Sequence, residues 1–176
     1  MALQEKAKAG CLELMYLDEA GFSSVHPNRT AWTPRGEQHL IDATRAKRLN
    51  VLGALSSSGY FEDVLFTGAM TSELFVDFLK SLAEKYEKPI TFILDNASFH
   101  KSKFVQQASE SLHKLGVTLK FLPPYCPELN RIEKFWFTVK HRWMKIKCRT
   151  HDELIADISE IFDGFGGKYK FDFYAK

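Results

Sequence analysis

The sequence has few cysteines and lacks any long apolar run. Its three cysteines, Cys11, Cys126 and Cys148, are odd in number and lack the spacing of a metal site, so we expect reduced thiols and no disulfide framework. No apolar run approaches the length that spans a bilayer, which argues against a membrane partner. The first ten residues, MALQEKAKAG, also lack the apolar stretch of a signal peptide, and we expect a cytoplasmic chain.

A strong excess of charge is also absent. The formal net charge of +2 is too small to predict a polyanionic partner, so only local basic clusters can indicate one. With 45% hydrophobic and 26% charged residues among 176, the composition is that of an ordinary globular protein, and the length suits one domain.

The hydrophobic pattern predicts a mixed sheet of about five strands with helices on both faces. We expect strands at residues 12–18, 49–56, 60–66, 90–94 and 117–121, the second and third forming a hairpin. Four helices are expected: one after an N-cap at Thr71, one at 104–115 closed by Gly116, one from about 128 to 143, and one with a capping box from Thr150. Residues 22–46 have an irregular pattern that allows a short strand at 30–33.

Three acidic residues fall where these elements begin or end. Asp18 and Asp95 are expected at strand ends and Glu133 about one turn into a helix, and ligands of open α/β sheets bind beyond the carboxyl ends of strands. Carboxylates are the ligands that Mg²⁺ prefers, and two such ions can drive phosphoryl transfer, with Asp18 as the expected bridge. The alternatives are local: Asp stabilises turns, and Glu is favoured at helix starts by the helix dipole.

Polar and basic residues near these acids are candidates for contact with substrate. They are Asn96, His100, Asn130, Lys134, Lys140 and Arg142. Asn96 is equally compatible with a turn, His100 with a surface position at a helix start, and Asn130 with a bond to the Pro-rich turn. Glu19 adjoins Asp18, but adjacent strand residues point to opposite faces, which makes it a weak candidate ligand.

Two basic clusters could neutralise DNA phosphates or lie on solvated surface. The first is Lys134, Lys140, His141, Arg142, Lys145, Lys147 and Arg149, and the second is Arg29, Arg35, Arg45, Lys47 and Arg48. Trp32 and Trp136 are expected in the core rather than stacked on bases.

Three sequence strings resemble the catalytic core of DDE transposases of the mariner superfamily and related bacterial insertion sequences. They are LDEAGF at 17–22, LDNASFH at 94–100 and LPPYCPELNRIEKFW at 122–136. Cys126 stands where Ser is common, Glu128 where Asp is common, and Arg131 where Pro is common. The resemblance implies an RNase H-like fold and a catalytic, metal-binding triad of Asp18, Asp95 and Glu133.

The same resemblance implies a function and partners. It implies Mg²⁺ or Mn²⁺, as two ions, DNA cleavage at transposon ends, and strand transfer to target DNA by a 3′-hydroxyl. It also implies a homodimer or larger assembly that works with DNA in the bacterial cytoplasm.

Relatives carry an N-terminal helix-turn-helix domain that we expect to be absent here. Residues 1–176 are then a single RNase H-like catalytic domain, with a C-terminal helix and tail from about residue 150. Two alternatives remain: another RNase H-like nuclease or resolvase, and a truncated, non-catalytic regulator that binds DNA or a transposase.

Overall fold

A five-stranded mixed sheet forms the centre of the protein. The computed structural model describes residues 3–24, 34–37, 48–123, 126–145, 147 and 149–172. The strands are β1 (Glu13–Ser23), β2 (Arg48–Ser56), β3 (Phe61–Phe66), β4 (Ile90–Leu94) and β5 (Val117–Phe121), in the order β3-β2-β1-β4-β5. The pairs β3–β2 and β2–β1 are antiparallel, whereas β1–β4 and β4–β5 are parallel. The predicted mixed sheet and hairpin are confirmed.

The first strand is longer than its sequence predicts. We expected it to end at Asp18, but β1 continues to Ser23 because β2 pairs with it from Met15 to Ser23. Backbone pairing with a neighbouring strand therefore outweighs the polar and small residues Glu19 and Gly21. The expectation that Asp18 ends its strand was wrong, and the residue lies near the middle of β1.

Helices cover both faces of the sheet, as predicted. Their bounds are α1 (Leu3–Lys8), α2 (Ser72–Lys85), α3 (Lys103–Lys114), α4 (Ile132–Thr138) and α5 (His151–Asp163). Buried side chains of α4 and α5 form one hydrophobic cluster with alternate residues of β1 and β2, and those of α2 and α3 form a second cluster with the intervening residues. The short helix α1 has no counterpart in the sequence prediction.

Local capping fixes the helix ends at the predicted residues. The hydroxyl of Thr71 accepts a hydrogen bond from the Leu74 N–H, and Thr150 and Glu153 form the reciprocal capping box of α5. Gly116 follows α3 with φ +79°, a left-handed conformation that glycine adopts without steric cost.

The third predicted helix is divided into three parts. A 3₁₀ turn at Pro127–Leu129 precedes α4, and a π-helical turn at Val139–Trp143 follows it. The N–H of Met144 donates to the carbonyl of Val139, five residues earlier, at 2.9 Å, which is the pattern of a π turn. The proposed strand at 30–33, with Trp32, lies outside the described residues, as does Cys148. Of the helices described, none has the length and apolar character needed to cross a membrane.

Candidate active site

The register of the parallel strands brings Asp18 and Asp95 together. The last paired residues of β1 and β4 are Tyr16 and Ile93. Asp18 and Asp95 each lie two residues further along, so the same register sets them side by side. Two residues is also one full period of the strand, which turns Asp18 toward the same face as Tyr16, the face that α4 covers.

Helix α4 brings Glu133 to these two carboxylates. Ile132, Phe135 and Trp136 are buried against the sheet, which fixes the helix, and Glu133 stays exposed near its N-terminus. Burial, together with the charges of Glu133 and Asp95, raises the pKa of Asp18 to about 7. The three acids therefore act on one another electrostatically, with Asp18 half-buried and the other two open to solvent.

The Trp136 indole packs beside Asp18, and Gly53 leaves room for the indole because it has no side chain. Gly53 pairs with Asp18 across β1 and β2, and a Cβ there would lie 2.7 Å from the Trp136 ring. The Trp136 N–H lowers the Asp18 pKa slightly, yet it forms no hydrogen bond of ordinary geometry within the described part of the chain. The sequence signal for this contact was a glycine inside an apolar strand, which often marks a close approach.

Asp95 is held by its own loop and by His100. Its Oδ1 accepts from the Ala97 N–H at 3.0 Å and lies 3.1 Å from His100 Nδ1. The His100 side chain is only 3% exposed and contacts the rings of Phe75 and Phe99. Burial lowers the pKa of His100, and Asp95 partly offsets that effect. The alternative of a surface histidine was wrong, because His100 is buried behind the carboxylate that it positions.

Two asparagines connect the segments that carry the acids. Asn130 is buried, and its Nδ2 donates to the carbonyl of Leu17, beside Asp18, at 3.2 Å. Asn96 Nδ2 donates to the carbonyl of Leu122, just after β5. The bond from Asn130 thus goes to β1 rather than to the Pro-rich turn.

Among the predicted basic residues, Lys140 interacts electrostatically with Asp18 and Glu133. It is half-buried, its Nζ lies 5.3 Å from the centre of the Phe22 ring, and burial lowers its pKa against the opposing charges of Asp18 and Glu133. Lys134 and Arg142 are exposed on the same segment.

Two members of the first basic cluster are ion-paired instead. Arg149 has a side chain 1% exposed that bonds Asp157 at 2.6 Å and the carbonyls of Lys145 and Lys147. Lys147 also pairs with Asp157, at 3.0 Å. Neither reading of this cluster, DNA contact or solvated surface, holds for Arg149, because its guanidinium is buried and fixes the loop before α5. Of the second cluster, Arg29, Arg45 and Lys47 lie outside the described residues.

The three acids are ligands of the type that suits a hard divalent cation, although they do not lie close enough together to enclose one. Within the described ranges, no three His, Cys, Asp or Glu side chains are grouped closely enough to hold a metal ion as they stand. All three candidate ligands are carboxylates, the ligand type that Mg²⁺ prefers. Their mutual repulsion raises the pKa of Asp18, and a bound cation would relieve it.

Comparison with known proteins identifies the family of this chain. The chain belongs to the DDE superfamily endonuclease family, whose model matches residues 13–155. A search of curated protein sequences finds no match.

Solved structures show that the fold is RNase H-like. The chain is similar to the Mos1 mariner paired-end complex with Mn at 18% identity and TM-score 0.68, covering 94% of this chain and 52% of that one. It is similar to the catalytic domain of Mos1 mariner transposase at 16% identity and TM-score 0.64, covering 94% and 77%. The Mos1 strand transfer complex is similar at 18% identity and TM-score 0.67, and the match covers 92% of this chain and 51% of that one. The chain thus spans about half the length of the Mos1 proteins in these complexes.

Proposed function

We propose that this chain is the catalytic core of a transposase, which cleaves DNA by metal-dependent phosphoryl transfer and joins the resulting 3′-hydroxyl to target DNA. The observation that carries the proposal is the electrostatic coupling of Asp18 to Glu133 and Asp95, three acids that come from three separate elements. Carboxylates that lack a paired cation are costly to bring together, so such an arrangement points to function rather than to stability.

In this proposal Asp18, Asp95 and Glu133 would hold Mg²⁺ or Mn²⁺, as two ions. The ions would supply charge neutralisation and activation of the attacking oxygen. His100 positions Asp95 through the contact at 3.1 Å, and Asn130 fixes the start of α4 against β1. Lys134, Lys140 and Arg142 would neutralise DNA phosphates, with Asn96 and Asn130 bordering the substrate.

The similar structures support the choice of partner. They are of Mos1 in paired-end and strand transfer complexes, including complexes with Mn and with Mg. By analogy we propose that this chain binds transposon ends and target DNA as a homodimer or larger assembly. Residues 1–176 would form one catalytic domain, and a bacterial cytoplasmic location stays a prediction from the sequence.

The proposal is tested by nicking of supercoiled plasmid in Mn²⁺, with Asp95→Asn as the variant. We expect the wild type to nick the plasmid only with a divalent cation, and Asp95→Asn to reduce the rate by about a thousandfold or more, since catalytic metal ligands supply several kcal/mol. Asp77→Asn removes an exposed carboxylate on α2 and is the matched control. Nicking by Asp95→Asn at the wild-type rate would exclude Asp95 from the site.

A second reaction separates transposition from hydrolysis. A duplex oligonucleotide with a free 3′-hydroxyl is incubated with a target plasmid, and joined product is measured. A transposase core gives joined product, whereas a nuclease or resolvase cuts the plasmid and joins nothing.

A further inference from the structure

The indole N–H of Trp136 is a buried donor without an ordinary hydrogen bond. Trp136 is 3% exposed, and its Nε1 has no partner within the part of the chain that the structure describes. An N–H that is removed from water and left unpaired costs free energy, so most buried donors in proteins have an acceptor. The surroundings of this N–H therefore need an explanation.

The register of β1 and β2 places Asp18 beside the indole. Asp18 and Gly53 are paired across the two strands, and side chains at paired positions stand next to each other on one face of a sheet. Gly53 has no side chain, and the Trp136 ring carbons Cζ2 and Cη2 lie 2.7 Å from where its Cβ would be. Cζ2 is bonded to the ring carbon that carries Nε1. The edge of the indole that approaches Gly53 is thus the one next to the N–H.

The N–H of Trp136 acts on the Asp18 carboxylate. It lowers the pKa of Asp18, as a neutral donor does when it faces a carboxylate oxygen and stabilises the charged form. The contact lacks the geometry of an ordinary hydrogen bond as it stands. In enzymes such bonds are often long or poorly aligned in the free protein and tighten when the site is complete.

Two aromatic rings hold the indole in place. Phe22 and Phe61 contact it edge-on, with their ring centres 6.1 and 5.6 Å from that of Trp136. On α4, Trp136 lies three residues after Glu133, which is the spacing of neighbours on a helix surface. The helix that carries one acid therefore also carries a fixed donor beside another acid.

We propose that Trp136 is a positioning residue for Asp18: its N–H donates to one carboxylate oxygen and leaves the other oxygen for the metal ion. Carboxylates that bind metal ions are themselves held by hydrogen bonds from surrounding residues. An indole suits this role because it donates without a positive charge and never accepts, so it favours the ionised carboxylate without repelling a cation. The inference rests on the proposed function, because it takes the acids as metal ligands.

Replacement of the N–H alone tests this role. Benzothienylalanine, incorporated at residue 136 by codon suppression, keeps the bicyclic ring and has sulfur in place of the N–H. Mn²⁺ binding is measured from the electron paramagnetic resonance signal of free Mn²⁺. We expect the dissociation constant to rise about tenfold or more, as it does when a metal ligand loses its hydrogen-bond partner. The same replacement at Trp143, which packs on Phe135 and Tyr169, is the matched control and should leave the constant unchanged.

A spectroscopic signature reports the hydrogen bond itself. In protein with ¹⁵N-labelled tryptophan, the indole signal of Trp136 is assigned by its loss in Trp136→Phe. Mg²⁺, at a concentration that displaces Mn²⁺, should move the Trp136 indole proton downfield, because the ordered carboxylate then accepts from it. The Trp143 signal should stay in place. A Trp136 proton that stays in place or moves upfield overturns the positioning role.

The outcomes separate this inference from the proposed function. A cooperative thermal transition in EDTA establishes that each variant is folded. Mn²⁺ binding by the isostere that equals that of the wild type overturns the positioning role alone, even if Trp136→Phe binds more weakly, since the ring would then act only by packing. A wild type that neither binds Mn²⁺ nor nicks plasmid overturns the proposed function and this inference together.

Discussion

Replacing Asp18 by asparagine should stabilise the metal-free protein, and only above a certain pH. Burial, Glu133 and Asp95 raise the pKa of this carboxyl from 3.8 to about 7. The folded state thus keeps a proton that the unfolded state has already released between pH 4 and pH 7. Stability therefore falls as the pH rises through this window and is constant above it. A shift of about three pKa units corresponds to about 4 kcal/mol at most, because each unit is about 1.4 kcal/mol.

The assay is denaturant unfolding in EDTA at pH 4 and pH 8. At pH 8 we expect Asp18→Asn to be more stable than the wild type by about 2–4 kcal/mol, since the amide carries no charge to desolvate. At pH 4 the difference should fall to about 0.5 kcal/mol, because Asp18 is then neutral in the folded state and about half protonated in the unfolded state. Asp63, whose pKa burial and the nearby Asp163 and Glu62 raise to about 6, titrates in both proteins, so it cancels from the difference. Glu110→Gln should show no such gain.

Addition of Mn²⁺ provides the second half of this prediction. The ion should stabilise the wild type by mass action and have little effect on Asp18→Asn, which lacks one of the three proposed ligands. An Asp18→Asn protein that is less stable than the wild type at pH 8 in EDTA would refute the electrostatic reasoning. A gain that is equal at pH 4 and pH 8 would refute it too.

The remaining predictions concern stability and use thermal and denaturant unfolding. Arg149→Ala should lower the free energy of unfolding by about 3 kcal/mol, because it leaves Asp157 and two carbonyls without their buried partner. Arg142→Ala, at an exposed arginine, is the control and should leave stability almost unchanged. Equal losses would contradict a structural role for Arg149. Gly53→Ala should lower the free energy of unfolding by about 1–3 kcal/mol, because the new Cβ would lie 2.7 Å from the Trp136 ring. Gly59→Ala in the hairpin turn is the control, since its Cβ would contact no neighbouring atom and only the φ of +92° opposes it. An unchanged melting temperature for Gly53→Ala would show that Trp136 can move aside.

Local patterns predicted most of the fold. The five strands, the hairpin and the helix caps at Thr71 and Thr150 follow from periodicity and from side chains that bond within four residues. Such signals lie within a short window of sequence, and the structure keeps them because the core stabilises the same elements that the local residues favour.

The errors came from contacts between distant parts of the chain. β1 continues past Asp18 because β2, the next strand along the chain, pairs with it as far as Ser23. Arg149 is buried because Asp157 and the carbonyls of Lys145 and Lys147 surround its guanidinium. His100 is buried by Phe75 of α2 and by Phe99. None of these partners can be chosen from composition or spacing, since many residues offer the same chemistry.

One feature of the sheet accounts for the two different environments on the two faces of β1. β4 ends at Leu94, whereas β1 continues to Ser23 with β2 as its neighbour. Beyond Leu94, no described strand pairs with the other side of β1, and its alternating side chains face two different environments there. Asp18 lies on the face that α4 covers and interacts electrostatically with Glu133, whereas Glu19, the next residue, lies on the opposite face. If β1 ended at Asp18, it would supply the first acid without this opposite face. The extension of β1 past β4 therefore gives one strand two faces of different chemistry beside the acids.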